Sequence, residues 1–101
     1  MTVDARQIRE WLAEQALPLW SHAGLDMDAG GFVEKLTLDG HPVLDADKRM
    51  RVQARQIYVY SHAHILGWEP RNEGPTALEA AYQGFDFLTR QYWREDGGFV
   101  F

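Results

Sequence analysis

The four residues Gly-Gly-Phe-Val occur twice in this 101-residue chain, at 30–33 and at 97–100. Their surroundings repeat as well. Each copy follows an amphipathic helical segment that ends at a tryptophan, Trp20 in the first case and Trp93 in the second. Each glycine pair is preceded by acidic residues: Asp26 and Asp28, then Glu95 and Asp96. The offset of 67 residues has room for an outer helix, a loop with a short hairpin, an inner helix and a return loop. Units of this kind build arrays in which no unit buries its apolar face alone, and about three are needed for stability. This sequence holds one and a half. The expectation is therefore that residues 1–101 are an N-terminal fragment of a longer, single-domain helical array. A complete three-helix domain is the competing view, and an ending on Phe99-Val100-Phe101 without a polar cap speaks against it.

The helices follow from apolar spacing. Asp4 can cap a helix from Ala5, on which Ile8, Trp11, Leu12, Gln15, Ala16 and Leu19 form one mostly apolar stripe. Pro18 removes a helical hydrogen bond and predicts a kink before the helix ends near Ser21. From Phe32 to Leu38 the chain has strand character, and Asp39-Gly40 is a good turn, which together predict a small β-hairpin. Asp26 and Asp28 resemble the start of a calcium loop but lack the remaining ligand spacing, so a turn or cap role is expected. Thr76 and Glu79 form a capping box for a last helix, whose apolar face reads as Leu78, Ala81, Tyr82, Phe85, Leu88, Thr89 and Tyr92.

The helix between about Lys48 and Gly67 has a different pattern. At 100° per residue, Arg51, Arg55, Tyr58 and His62 fall within about 60° of one another. Met50, Ala54, Ile57, Ser61 and Ile65 flank this stripe on one side, and Val52, Val59, Ala63 and Leu66 on the other. A narrow polar and aromatic stripe between two apolar flanks belongs on a helix that faces a lumen or cleft. The alternative is a bundle helix whose polar stripe faces water.

Composition narrows the class. With 46% hydrophobic, 25% charged and 13% aromatic residues the chain is globular rather than disordered. A net charge of −5 disfavours nucleic acid and anionic membranes as partners. There is no cysteine, no signal-peptide pattern and no apolar run of membrane-span length. A soluble, reduced, cytoplasmic protein is expected.

Arg49 to Trp68, "RMRVQARQIYVYSHAHILGW", resembles the second-helix segment of the N-acylglucosamine 2-epimerase family, which includes mannose isomerases, cellobiose 2-epimerases and mannose-6-phosphate isomerase-like proteins. "GGFVEKLTLDGHPV" is similar to that family's first hairpin and "YWREDGGFVF" to its second Gly-Gly loop. Gln53-Ala54-Arg55-Gln56 followed by the aromatic Tyr58 is the most specific element. The resemblance implies an all-α fold with a small β-hairpin, the first one and a half helical hairpins of an (α/α)6 barrel whose inner helices line a sugar-binding lumen.

It also implies a chemistry: epimerisation at C2 of a sugar, or aldose–ketose conversion. Both remove the proton beside the C1 carbonyl and need a base, an acid and donors for the enediolate. Histidines suit the proton transfers. The family's catalytic histidines lie on later inner helices, and none of His22, His41, His62 or His64 matches them, so no catalytic residue is expected in this segment. Arg55 matches the family's lumen arginine, whose planar fork of donors suits sugar oxygens. Tyr58 and His62 share its face and are expected with it as substrate-binding residues. The bland alternatives are an ion pair from Arg55 to Asp45 or Asp47 and a packed, hydrogen-bonded His62. His62 and His64 diverge by about 200° and cannot chelate one metal, and no metal or cofactor is expected. The expected partner is a monosaccharide or disaccharide, with self-association through the unfinished barrel edge. Two other functions compete: a six-hairpin glycoside hydrolase, which requires two lumen carboxylates, and a non-catalytic helical protein that binds a partner through its open edge.

Overall fold

The computed structural model describes residues 3–70, 74–93, 95 and 97–98. Helix α1 (Ala5–Trp11) runs through a π-helical segment, Leu12–Ala16, into α2 (Leu17–His22). Two longer helices follow, α3 (Met50–Ile65) and α4 (Ala77–Tyr92), and these two form the principal helix–helix contact.

Helix ends are set by their caps. Asp4 accepts from the Gln7 amide at 2.9 Å while the Gln7 side chain accepts from the Asp4 amide at 2.9 Å. Thr76 and Glu79 make the same reciprocal pair at α4, so two otherwise orphaned amides are satisfied at each start. The helix continues through Pro18. The chain widens one turn earlier, where the Leu17 amide bonds to the Leu12 carbonyl five residues back. Pro18 then falls in the first turn of α2, where a missing N–H costs least.

The faces that pack are not the most hydrophobic ones. No residue of α1 is buried, and Ile8, Trp11 and Leu19 of the expected stripe are exposed. Contact is made instead by Ala13, Leu17, Trp20 and Ser21. The Tyr60 hydroxyl donates to the Leu17 carbonyl at 2.7 Å and the Trp68 indole to the Ala13 carbonyl at 3.0 Å. On α4 the buried residues are Ala77, Ala80, Ala81, Gly84, Phe87 and Leu88, while Leu78, Tyr82 and Phe85 of the expected face are exposed. Close approach is the reason. A Cβ on Gly84 would stand 2.8 Å from both Ile57 Cγ1 and Phe32 Cε2. Only small side chains let the backbones come together there.

The expected β-hairpin is not a strand pair. Among the described residues this region holds two isolated antiparallel bridges, Leu25 with Phe32 and Leu36 with Pro42. The Asp39-Gly40 turn does form, with Gly40 at φ +85° and its amide on the Thr37 carbonyl at 3.0 Å. Two features stop a ladder. Pro42 has no amide to donate, and the Thr37 hydroxyl accepts from the His41 amide at 3.0 Å.

The core gathers where the elements meet: Leu25, Phe32, Tyr60, Ala63, Ala77, Ala80 and Ala81, with Leu17, Trp20 and Trp68 packed against them. Phe32 and Tyr60 are completely buried and stacked, their centroids 5.5 Å apart and their planes 10° from parallel.

Candidate functional site

The first Gly-Gly loop is the joint that fixes α3. Gly30 and Gly31 adopt φ +91° and +76°, in the left-handed region that favours glycine. A Cβ on Gly31 would lie 2.6 Å from Phe87 Cγ and 2.9 Å from Gln53 Oε1, so this backbone lies directly on both helices. Phe32 then inserts into the core. Its amide donates to Gln53 Oε1 at 2.8 Å and its carbonyl accepts from Gln53 Nε2 at 2.7 Å. Gln53 is completely buried, and both ends of its carboxamide are used.

Asp26 closes the other side of the loop. One carboxylate oxygen accepts from the Asp28 and Ala29 amides, at 3.1 and 3.0 Å. The other accepts from Lys48 Nζ at 2.6 Å. Burial pushes the Asp26 carboxyl up, but the Lys48 hydrogen bond, the two amides and the ammonium charge outweigh it and hold the group below the ordinary carboxylate value. The turn role expected for Asp26 is the one observed. Gly97 and Gly98 also have positive φ, +86° and +124°, so the repeat is conformational as well as textual. The phenylalanine and valine of the second copy lie outside the described residues.

With Gln53 and Tyr60 turned inward, Arg55, Tyr58 and His62 are presented together on the opposite, exposed face of α3. Tyr58 and His62 stack with centroids 5.6 Å apart and planes at 16°. Among the described residues Arg55 pairs with neither Asp45 nor Asp47, nor with any other side chain, so its guanidinium remains available. His62 is exposed rather than packed in the core. Arg51 lies on the same face. This surface offers a planar cation with several donors beside an aromatic platform, a combination that suits the hydroxyls and apolar ring face of a sugar.

The other histidines lie elsewhere. His41 contacts Asp39 at 3.2 Å. His64 contacts Glu69 at 3.1 Å, while the other Glu69 oxygen accepts from the Ala77 amide at the start of α4. That amide, and then His64, hold the Glu69 carboxyl below its ordinary value. Among the described residues no three His, Cys, Asp or Glu side chains converge as metal ligands, and no helix is long and apolar enough to cross a membrane.

The profile of the N-acylglucosamine 2-epimerase (GlcNAc 2-epimerase) family matches residues 30–101, the stretch that begins at the first glycine pair and contains all of α3 and α4. The chain belongs to this family. It is similar to the mannose-6-phosphate isomerase of Rhizobium meliloti (strain 1021), with 38% identity over 97 residues that cover 96% of this chain and 23% of that protein. The chain thus spans about a quarter of the length of that relative. No solved structure matches it. Within Gln53-Ala54-Arg55-Gln56, part of the most specific element of the family resemblance, two side chains take opposite directions: Gln53 faces the loop and Arg55 faces out. Hydropathy alone could not identify Gln53 as a core residue, because glutamine reads as polar wherever it stands.

Proposed function

We propose that the chain is the N-terminal segment of a sugar epimerase or aldose–ketose isomerase of the (α/α)6 class, and that α3 is an inner helix whose Arg55, Tyr58 and His62 contact the substrate. The observation that carries this reading is the exposed stripe itself: a guanidinium with no carboxylate partner among the described residues, beside a stacked tyrosine and histidine, on the helix face opposite the core. The name of the Rhizobium relative, a mannose-6-phosphate isomerase, supports a sugar substrate.

In this reading the stripe binds and orients. Arg55 donates to sugar oxygens and stabilises charge that grows on the C1–C2 oxygens as the enediolate forms. Tyr58 and His62 offer a flat surface to the ring and hydroxyl-directed hydrogen bonds at its rim. The base and acid that move the C2 proton stand on helices beyond this chain. Epimerisation and isomerisation share the enediolate and differ in the carbon to which the proton returns.

The test uses the whole enzyme that carries this segment. Arg55→Ala should lower kcat/KM for sugar turnover by about 10²-fold or more while leaving the melting temperature unchanged. Exchange of the C2 proton with deuterium from solvent should fall in step. Unchanged turnover and exchange would remove Arg55 from the site.

A second, compatible reading rests on the groove between α3 and α4, lined by Ile57, Ser61, Leu78, Ala81, Tyr82 and Phe85. Its apolar side chains lie on the edge where an array would continue, and this edge packs against further helices of the same architecture or, in the isolated segment, against a second copy.

A further inference from the structure

We infer that Gln53 is a positioning residue: its two hydrogen bonds to the Phe32 peptide fix the rotation of α3 about its own axis and thereby decide which face presents Arg55, Tyr58 and His62. The presentation of that face to a sugar rests on the reading above; the rotational lock itself does not.

The argument begins from a degeneracy. Helix α3 has two apolar flanks, one through Met50, Ala54, Ile57 and Ile65 and one through Val52, Val59, Ala63 and Leu66. At 100° per residue these flanks lie about 80° and about 110° to either side of Gln53. Burying either one gains similar apolar area, so hydrophobic burial alone chooses weakly between rotations. Gln53 and Tyr60 lie about 20° apart on the bisecting face, and both are completely buried. The Arg51, Arg55, Tyr58 and His62 stripe is centred about 180° from Gln53.

A directional interaction can break such a degeneracy where a greasy one cannot. The Gln53 carboxamide satisfies both groups of one peptide unit, accepting from Phe32 N at 2.8 Å and donating to Phe32 O at 2.7 Å. Turning α3 by the angle that buries either flank removes both bonds and leaves at least the buried Phe32 N–H and C=O without partners. Each unsatisfied group costs about 1–3 kcal/mol, well above any difference in area between the flanks. This is the role a single buried asparagine plays in fixing coiled-coil register. The Phe32 peptide is a suitable anchor. It follows two glycines locked in the left-handed region, and its side chain is clamped between Tyr60 and α4.

The chain contains no cysteine, so single-cysteine labelling reads the rotation directly. Ala54 and Val59 lie on opposite flanks and both are exposed. Rotation in either direction must bury one of them. In chains carrying Ala54→Cys or Val59→Cys, both thiols should react readily with a maleimide. Adding Gln53→Leu should slow one of the two by about tenfold or more. General loosening can only accelerate labelling, so a fall at either position is specific to rotation. Two unchanged or two faster rates would overturn the inference, as would parent chains in which a buried reporter, Ala63→Cys, reacts as fast as the exposed pair.

Gln53→Glu keeps the test decisive should the leucine variant unfold. A protonated carboxyl can accept from Phe32 N–H and donate to Phe32 O, as the carboxamide does; a carboxylate cannot donate and repels the carbonyl. The parent labelling pattern should therefore hold at low pH and change reversibly as the carboxyl ionises. The same pattern at both pH values would also overturn the lock. None of these readouts involves sugar turnover, so failure of the lock and failure of the substrate reading remain distinguishable.

Discussion

Lys48 Nζ lies 2.6 Å from Asp26 Oδ2, and the same ammonium donates to the Gly30 carbonyl at 3.0 Å while sitting 5.0 Å from the centroid of the Phe87 ring. One cation thus ties the Gly-Gly loop to the start of α3 and to α4. Both side chains of the pair are largely buried, 11% and 8% exposed. Lys48→Met should therefore destabilise the fold by about 3 kcal/mol, because it strands the Asp26 charge. Denaturant unfolding of the two chains at neutral pH measures this.

The same pair sets a pH dependence. The Asp26 carboxyl is held below the ordinary aspartate value in the folded state. A depressed folded value means the unfolded chain takes up the proton first. The contribution is complete above the unfolded value and is lost as pH falls through the folded one. Parent stability should be level down to about pH 4 and fall below it. In Lys48→Met the cation no longer offsets burial, so the folded value moves up toward or past the unfolded one and the loss of stability on acidification should shrink or reverse. Coincident acid-unfolding profiles would show that Asp26 is not linked to folding through Lys48.

Gly31 and Gly40 separate backbone strain from close packing. Both have positive φ, +76° and +85°. At Gly40 the nearest atom to a new Cβ is Leu19 Cδ1, at 3.4 Å, an ordinary contact; at Gly31 it is Phe87 Cγ, at 2.6 Å. Gly40→Ala should cost about 1 kcal/mol of left-handed strain. Gly31→Ala should cost that and about 1–3 kcal/mol more for overpacking. Equal losses in chemical denaturation would mean that Phe87 yields freely.

How much could be read in advance differs by residue, and physics explains the difference. The caps at Asp4 and Thr76 were legible because capping depends on residues three apart in sequence. The stripe of Arg55, Tyr58 and His62 was legible because helical spacing fixes which residues share a face. The Gly pair was legible because positive φ at successive positions strongly favours glycine. The buried faces of the first helical segment and of α4 were not. Trp11, Tyr82 and Phe85 have far more apolar side-chain area to bury than Ala77, Ala80 and Gly84, yet closely packed backbones accept only the small residues, and which partner comes close is a tertiary fact. Gln53 was hidden for the same reason: its burial depends on the Phe32 peptide 21 residues away. The hairpin failed as an expectation because a good turn does not make a ladder when the returning segment carries proline.

The exposed apolar edge predicts behaviour in solution. The chain exposes 7350 Å², against about 5,800 Å² for a compact monomer of this mass. The radius of gyration, 14.4 Å, likewise exceeds the roughly 13 Å of a compact 100-residue domain. The isolated segment should therefore self-associate or melt with low cooperativity, and Tyr82→Ser with Phe85→Ser should reduce the association. Sedimentation velocity and calorimetry measure both. A sharp, concentration-independent monomeric transition in the unaltered segment would remove the case that this edge needs a covering partner.

Tyr58 and Tyr60 stand two residues apart on α3 and have opposite surroundings. Tyr60 is completely buried, its phenol donating to the Leu17 carbonyl at 2.7 Å, and burial pushes that phenol well above its ordinary value, so it remains a neutral donor. Tyr58 is 68% exposed and stacked on His62. Removing the two hydroxyls should therefore separate stability from binding. Tyr60→Phe leaves a partly buried carbonyl without its donor and should cost about 1–2 kcal/mol of stability, with KM in the whole enzyme unchanged. Tyr58→Phe should leave stability within about 0.5 kcal/mol and, on the proposed function, raise KM, because there the hydroxyl meets the substrate rather than the protein. Thermal melts and steady-state kinetics on the two variants check this together. If Tyr58→Phe moved stability and left KM alone, α3 would not present this stripe to a sugar.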